Sequence, residues 1–518
     1  MAQTDFSGHS SLPPQGALPS QGAAPGFAFV HSYAALPANF FSRQGPVPVA
    51  SPRLIKFNEQ LASELGLDWQ ALDSQTLASI FSGNLMPIRA EPIAMAYAGH
   101  QFGHFVPQLG DGRAILLGEV IDRSGVRRDI QLKGAGRTAY SRDGDGRATV
   151  GPVLREYLVS EAMHALGIAG TRALAAVATG ETVFRERGLP GAILTRVAAS
   201  HVRVGTFQYF AARRDLSSVK RLADYVIERH YPELKTAERP YPELLRSVAA
   251  RQARLVASWM HVGFIHGVMN TDNMTVSGET IDFGPCAFMD GYDPETVFSS
   301  IDGMGRYKFA NQPPAAQWNL ARFAETLLPL LDADGGRAVA AANEVLAAFP
   351  DQFEEHWLKG MCAKLGLFTR EADDLELVGA WLELMHRNQC DYTLTFRRLC
   401  NAAGAGEAAE VADAQLCASL IQPGEYREWA ARWRTRLARE PQTAEERAVS
   451  MRRVNPAFIP RNHRIERVIA AAIEREDFAP FEEMLSVLAR PYEDQERFEA
   501  YTAPPQPAER VLQTFCGT

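Results

Sequence analysis

The chain has 518 residues, with 53 Lys plus Arg against 61 Asp plus Glu, a formal net charge of -8. That mild acidity argues against nucleic acid or an anionic membrane surface as the main partner, and no run of about 18 apolar residues is present for a membrane-spanning helix. Hydrophobic residues at 46% and charged residues at 22% describe an ordinary globular mix able to bury a sizeable core.

Residues 1–26 are rich in Gly, Pro, Ser, Ala and Gln and read as a mobile tail. No Lys or Arg precedes Arg43, so the basic start of a signal peptide is missing. The stretch 54–67 reads as helical. The first clear strands are 113–122 and 126–133, joined by Arg123-Ser124-Gly125 as a hairpin turn. A long Gly- and Arg-rich loop runs from Gly134 to Arg147, and Pro152 opens a helix to about Leu166. Beyond about residue 206 the pattern is helical, with helices expected at 318–331, 336–348, 372–387, 425–440 and 464–490. Strands first and helices after is an α+β order. Three segments follow: the tail 1–26, a sheet-containing part 27–205 and a helical part 206–518.

The six cysteines, at 286, 362, 390, 400, 417 and 516, include no C-x-x-C pair. They suit neither a disulfide scaffold nor a zinc or dithiol motif, and the expected location is the reducing cytoplasm. His100 and His104 are four apart and could share a helix face, but H-E-x-x-H is absent. Gly134-Ala135-Gly136-Arg137-Thr138-Ala139 fits a relaxed dinucleotide fingerprint, yet Ser141–Arg147 follows it where an apolar helix is needed.

The most informative stretch is His266–Gly284, H-G-V-M-N-T-D-N-M-T-V-S-G-E-T-I-D-F-G. Protein kinases carry H-R-D-x-x-x-x-N and then D-F-G, whose Asn and Asp are hard oxygen ligands for a divalent cation on nucleotide phosphates. Laying His266 on the kinase His puts Asn273 on the kinase Asn and Asp282 on the D-F-G Asp. A short hairpin, 274–276 with 280–281, would bring the two together. The kinase catalytic Asp falls on Val268, which accepts no proton, and the nearest replacement is Asp272. Lys133 ends a strand as the kinase phosphate-binding lysine does. Its ion-pair partner is Glu156 or Glu161 on the following helix, and helical periodicity favours Glu161. Gly110-Asp111-Gly112-Arg113 reads as a cut-down phosphate loop.

Y-A-G-H-Q-F-G (97–103), L-G-D-G-R (109–113), Q-L-K-G-A-G-R-T (131–138), S-R-D-G-D-G-R (141–147), L-R-E-Y-L (154–158), H-G-V-M-N-T-D-N (266–273), I-D-F-G-P (281–285) and W-N-L-x-R (318–322) together resemble the selenoprotein O family, also called YdiU. The resemblance runs from about Phe27 to the C-terminus. It implies a protein-kinase-like two-lobed pseudokinase fold that binds its nucleotide flipped. Such an enzyme transfers AMP from ATP to Ser, Thr or Tyr hydroxyls of proteins and releases pyrophosphate, and UMP transfer from UTP is also ascribed to members. Mg²⁺ or Mn²⁺ would assist.

By motif, Gly110, Gly112 and Arg113 would touch the nucleotide. Lys133, Asp145, Gly146, Arg196 and Arg203 would line the phosphate end, with Asp282. Asp272 would be the base, and Asn273 and Asp282 the metal ligands. The same resemblance puts the partner of Lys133 at Glu156, against the periodicity, and the motif is followed here. Cys516 falls where some eukaryotic members carry selenocysteine, and Cys286 follows D-F-G, which suggests a reversible disulfide between the two. A catalytically inactive nucleotide-binding scaffold and a small-molecule phosphotransferase are the competing readings. The second would ordinarily have an Asp at position 268.

Overall fold

The computed structural model describes residues 26–404 and 406–515. All but Gly26 of the tail expected over 1–26 lies outside them. Among the described residues eight strands build one antiparallel sheet. They are β1 (Phe41–Arg43), β2 (Arg53–Phe57), β3 (Ile93–Met95), β6 (Ala114–Ile121), β7 (Arg127–Lys133), β8 (Ala148–Thr149), β9 (Arg172–Phe184) and β10 (Gly188–Ala198). The order is β1-β3-β6-β7-β10-β9-β2, with β8 beside β10. Two small ladders stand apart from it: the hairpin β4 (Gly99–Gln101) with β5 (His104–Val106), and β11 (Phe264–Ile265) with β12 (Ala287–Phe288).

The β6–β7 hairpin forms where the sequence predicts it. Asp122 closes the turn by accepting from Ser124 N and Val126 N, and Gly125 supplies the positive φ. The stretch 54–67, expected as helix, is instead β2 followed by the short helix α1 (Glu59–Glu64). Asn58 divides them: its side chain accepts from Leu61 N and caps the helix, so the chain turns there. With α2 (Ser74–Phe81), α1 covers one face of the sheet through Phe57, Leu61, Leu77 and Phe81.

The other face carries α3 (Val150–Ala165), buried along most of its length. Against α3 pack helices 462–475 and 479–488, where Tyr157 and Phe481 meet edge to face at 5.4 Å. The single helix expected over 464–490 is therefore two. Glu476 takes a left-handed φ of 51° at the break, and Pro480 opens the second helix. Next in the chain come α4 (Val204–Ala212), α5 (Leu216–His230), α6 (Pro240–His261), α7 (Gln312–Leu331) and α8 (Gly335–Lys364). The helix expected to stop near 348 continues through Pro350 to Lys364. Helices 374–387 and 423–437 join a second core in which Trp381, Trp429 and Trp433 stack. The result is a mixed α/β protein with one antiparallel sheet and many helices. Among the described residues no helix is long and apolar enough to cross a membrane.

Candidate active site

Between the sheet and the segment 266–285 lies a cavity of about 480 Å³. Strand β7 delivers Lys133 to it. Lys133 Nζ donates to Glu156 Oε2 of α3 at 2.6 Å and to Asp282 Oδ1 at 2.7 Å. Glu161, the partner that periodicity favours, points elsewhere: it binds Arg172 at 2.8 Å and caps Ala173 N and Asn58. Periodicity misled because α3 is enclosed on nearly every side, so both faces meet neighbours and neither marks the cavity.

Arg196 comes from the next strand, β10. Its Nη1 donates to Asp282 Oδ1 at 2.6 Å and reaches Glu156 Oε1 at 3.3 Å, while its Nε donates to Gln131 Oε1 at 2.7 Å. Gln131 Nε2 passes the chain on to Asp111 Oδ2 at 3.0 Å. Arg203, the residue before α4, lies over the Tyr97 ring at 4.3 Å, with Nη2 at 3.7 Å from Asp282 Oδ2 and 3.9 Å from Asp111 Oδ1. Three cations thus converge on Asp282. Burial opposes its ionisation, but the charges of Lys133, Arg196 and Arg203 outweigh that and hold the carboxyl well below the usual range. Asp282 also takes a left-handed φ of 62°, a strained conformation for a non-glycine residue.

The glycines form a second wall. Gly110 has φ 78°, and a Cβ there would sit 2.3 Å from the Tyr140 ring. Gly112 O accepts from Ser141 Oγ, and Asp111 O accepts from Thr138 Oγ1 at 2.7 Å. The 110–113 turn, which carries Arg113 to the cavity, is therefore roofed by the loop 138–147. Gly146 closes that loop: its φ is 70°, and a Cβ would lie 2.1 Å from Gly136 O. Asp145 lines the cavity, yet its carboxylate is held by both Arg185 Nη atoms at 2.8 and 3.1 Å and by Arg147 N at 2.9 Å.

The third wall is the segment His266–Pro285. Buried His266 is fixed by Ile281 O at 2.9 Å. Val268, which the motif sets against the kinase catalytic Asp, is buried and offers no acceptor side chain. Asp272 and Asn273 sit on the short 3₁₀ turn 271–273. Burial pushes the Asp272 carboxyl up to about 6, with the Gln101 hydrogen bond and the Arg203 charge partly offsetting it. The hairpin expected from 274–276 and 280–281 is reduced to one bridge, Met274 with Thr280, closed by Thr275 Oγ1 and Glu279.

His100 and His104 share no helix face. They stand on β4 and β5, where His104 pairs with Gln101 and His100 with Phe105, and Gln208 Nε2 donates to His100 Nδ1 at 2.8 Å. Among the described residues no three His, Cys, Asp or Glu side chains gather as a metal site. A cation on a nucleotide needs fewer, since phosphate oxygens complete its shell. Asn273 Nδ2 is committed to Val268 O at 3.0 Å, which leaves the carbonyl oxygen for the cavity that Asn273 and Asp282 both line. The Asn273 carbonyl oxygen and Asp282 Oδ2, the carboxylate oxygen not bonded to Lys133 or Arg196, are two hard oxygen donors on one cavity and fit such an ion.

Cys286 is buried, its Sγ 3.4 Å from Phe283 O, whereas Cys516 lies outside the described residues. The chain that leads to it is placed: Thr514 pairs with Ser299, and its Oγ1 donates to Pro285 O. Sequence reasoning missed Tyr97, Gln101, Tyr140 and Arg185, all on the cavity wall. Tyr97 and Gln101 belong to Y-A-G-H-Q-F-G (97–103), a motif whose spacing alone assigns them no task.

The family model described as Protein adenylyltransferase SelO matches residues 27–489. A protein nucleotidyltransferase YdiU of Rhizobium meliloti (strain 1021) is 65% identical over 492 residues, covering 95% of this chain and 99% of the relative. The protein of the same name in Bradyrhizobium sp. (strain BTAi1 / ATCC BAA-1182) is 64% identical over 492 residues, again 95% and 99%. That of Rhizobium johnstonii is 63% identical over 502 residues, 97% and 99%.

Proposed function

The chain belongs to the protein adenylyltransferase SelO family, and from that premise and the cavity we propose that it transfers AMP from ATP to Ser, Thr or Tyr hydroxyls of proteins. UTP as an alternative donor of UMP belongs to the same proposal. The observation that carries it is the cluster of Lys133, Arg196 and Arg203 around Asp282, facing the buried carboxylate of Asp272.

The cations suit a triphosphate. Lys133 and the two arginines supply charge-assisted hydrogen bonds that hold the phosphates and balance charge developing on the departing pyrophosphate. The turn at Gly110, Gly112 and Arg113 lines the opposite wall, with Gly112 N closed onto Gly110 O at 2.8 Å, and its glycines would let phosphate oxygens approach the backbone closely. Asp145 and Gly146 keep the covering loop in place: Asp145 through Arg185 and Gly146 through its contact with Gly136. Glu156 holds Lys133 at its post.

Asp272 would take the acceptor's proton. As the hydroxyl O–H bond gives up its proton to the carboxylate, the acceptor oxygen bonds to the α-phosphorus. The bond from that phosphorus to pyrophosphate breaks. A carboxyl titrating near 6 is ionised at neutral pH yet basic enough to help, which suits a general base. Asn273 and Asp282 would hold Mg²⁺ or Mn²⁺, which supplies charge neutralisation on the phosphates.

The sheet with α3 over one wall and the helices over the other supports a protein-kinase-like two-lobed reading, divided near residues 205 and 206. The Lys133–Glu156 contact and the Asn273–Asp282 pair have the roles that kinase counterparts have. The test is intact mass analysis of a protein acceptor after incubation with ATP and Mg²⁺ or Mn²⁺. Gain of one AMP on a Ser, Thr or Tyr is expected. Gain of a phosphate, or no gain across acceptors, overturns the proposal.

A further inference from the structure

The β4–β5 hairpin carries the 97–103 segment, and the reaction as described uses none of its polar side chains. Its backbone lies directly on the turn that holds Asp272. His100 N donates to Thr271 Oγ1 at 2.7 Å, and Phe102 N donates to Asn270 Oδ1 at 3.0 Å. Thr271 Oγ1 donates in turn to Gln208 Oε1 at 2.6 Å, and Gln208 Nε2 returns to His100 Nδ1 at 2.8 Å. Hairpin, turn and α4 are thus closed into one hydrogen-bonded ring. Tyr307 OH holds the same Asn270 oxygen at 2.8 Å.

Two glycines permit this approach. A Cβ on Gly99 would lie 2.5 Å from Asp272 Oδ1 and 2.9 Å from Asp272 Cβ. One on Gly205 would lie 2.1 Å from Ala98 O. Gly99 therefore packs against one oxygen of the carboxylate, and that oxygen is buried without a hydrogen-bond partner. The other oxygen, Oδ2, accepts from Gln101 Nε2 at 3.2 Å. Gln101 and Asp272 both line the cavity.

We propose that Gly99 and Gln101 are positioning residues for Asp272, Gly99 covering one carboxylate oxygen and Gln101 orienting the other toward the acceptor. This rests on the reading of Asp272 as the base. A carboxylate oxygen has two lone pairs, so Oδ2 accepts from Gln101 and keeps one for the acceptor's proton. Gln101 neither gains nor loses a proton in the step. With the Gln101 bond removed the carboxylate is free to turn, and with a methyl on Gly99 it is pushed aside; misplacement of a reacting group by about 1 Å costs up to about 100-fold in rate.

The test uses the full chain, α-labelled ATP, casein as acceptor and α,β-methylene-ATP as the binding probe. Gln101→Leu and Gly99→Ala are expected to lower kcat by about 10- to 100-fold while affinity for the probe stays at the wild-type value. Thermal stability is expected to fall in both, since one leaves Asp272 Oδ2 without its donor and the other forces a methyl against Oδ1. Gln101→His, whose Nε2 can still donate, is expected to recover most of that loss. In an Asp272→Asn background Gln101→Leu is expected to cost nothing further. Wild-type kcat in Gln101→Leu, or the same loss in both backgrounds, overturns the inference. If Gly99→Ala does not fold, the two Gln101 variants decide alone. Failure of the underlying reading looks different: the wild-type chain labels no acceptor, or Asp272→Asn is as active as wild type.

Discussion

Lys133 donates to Glu156 across 2.6 Å, and that contact ties the end of β7 to the middle of α3 at the floor of the cavity. Both side chains are nearly buried, and Glu156 also faces Arg196 at 3.3 Å. Removing one member of such a pair leaves the others unbalanced, at a cost of about 3–5 kcal/mol. Glu156→Ala is therefore expected to lower stability to urea on that scale and to weaken nucleotide binding, because Lys133 is left anchored to Asp282 and is drawn onto that carboxylate. Glu161→Ala breaks a different pair, with Arg172, and is expected to leave nucleotide binding unchanged. Urea unfolding and nucleotide titration of both variants check this. Weakened binding in Glu161→Ala alone contradicts it.

Asp272 links activity to pH. Its carboxyl is raised from 3.8 to about 6 by burial, so the folded state holds the proton more tightly than the unfolded chain. The unfolded chain releases that proton first, and stability falls as pH rises between about 4 and 6. Above that window the buried charge is a standing penalty. Asp272→Asn is expected to melt higher than wild type at pH 7.5, with the difference vanishing below pH 4, while AMP transfer drops to a small but measurable residual rate. In the wild type, transfer is expected to decline as pH drops through about 6. An Asn variant less stable at pH 7.5 contradicts the assignment.

Asp145 and Arg185 act as one unit. The carboxylate receives two hydrogen bonds from the guanidinium and one from Arg147 N, across a loop that roofs the glycine turn. Asp145→Ala and Arg185→Ala are expected to weaken ATP binding by similar factors, and the double variant to be no worse than either. Additive losses in a double-mutant cycle contradict a shared role.

The reversible disulfide between Cys286 and Cys516 remains a proposal with a direct check. Thr514 sits against Pro285 and Ser299, so the placed chain approaches Cys286 two residues before Cys516. Peptide mapping under non-reducing conditions after mild oxidation is expected to recover a 286–516 crosslink, removed by thiols. A fully oxidised sample without that crosslink contradicts it.

Sequence alone made the hairpin β6–β7, the helix α3 and the polar residues of 266–284 legible, because turn chemistry, helical periodicity and a spaced motif are local signals. The long strands β9 and β10 carry little local signal: Arg172–Phe184 is rich in alanine, which has little strand preference, and the sheet imposes the conformation through its neighbours. Helix α8 passes Pro350, where local rules suggest an end. The choice between Glu156 and Glu161 was open to motif resemblance and closed to periodicity, since α3 is covered on nearly all sides. Arg185 meets Asp145 across 40 positions and Gln101 meets Asp272 across 171, distances at which spacing carries no information.

The most direct test of the central claim uses ATP labelled at either the α- or the γ-phosphate. Each is incubated with the full chain, a protein acceptor and Mg²⁺ or Mn²⁺, beside an Asp282→Ala control. The account predicts label on the acceptor from the α position alone, and none with the variant. Label from the γ position means phosphate transfer and contradicts the role given to Asp272 in place of Val268. Binding of ATP with no label from either position would identify a nucleotide-binding scaffold.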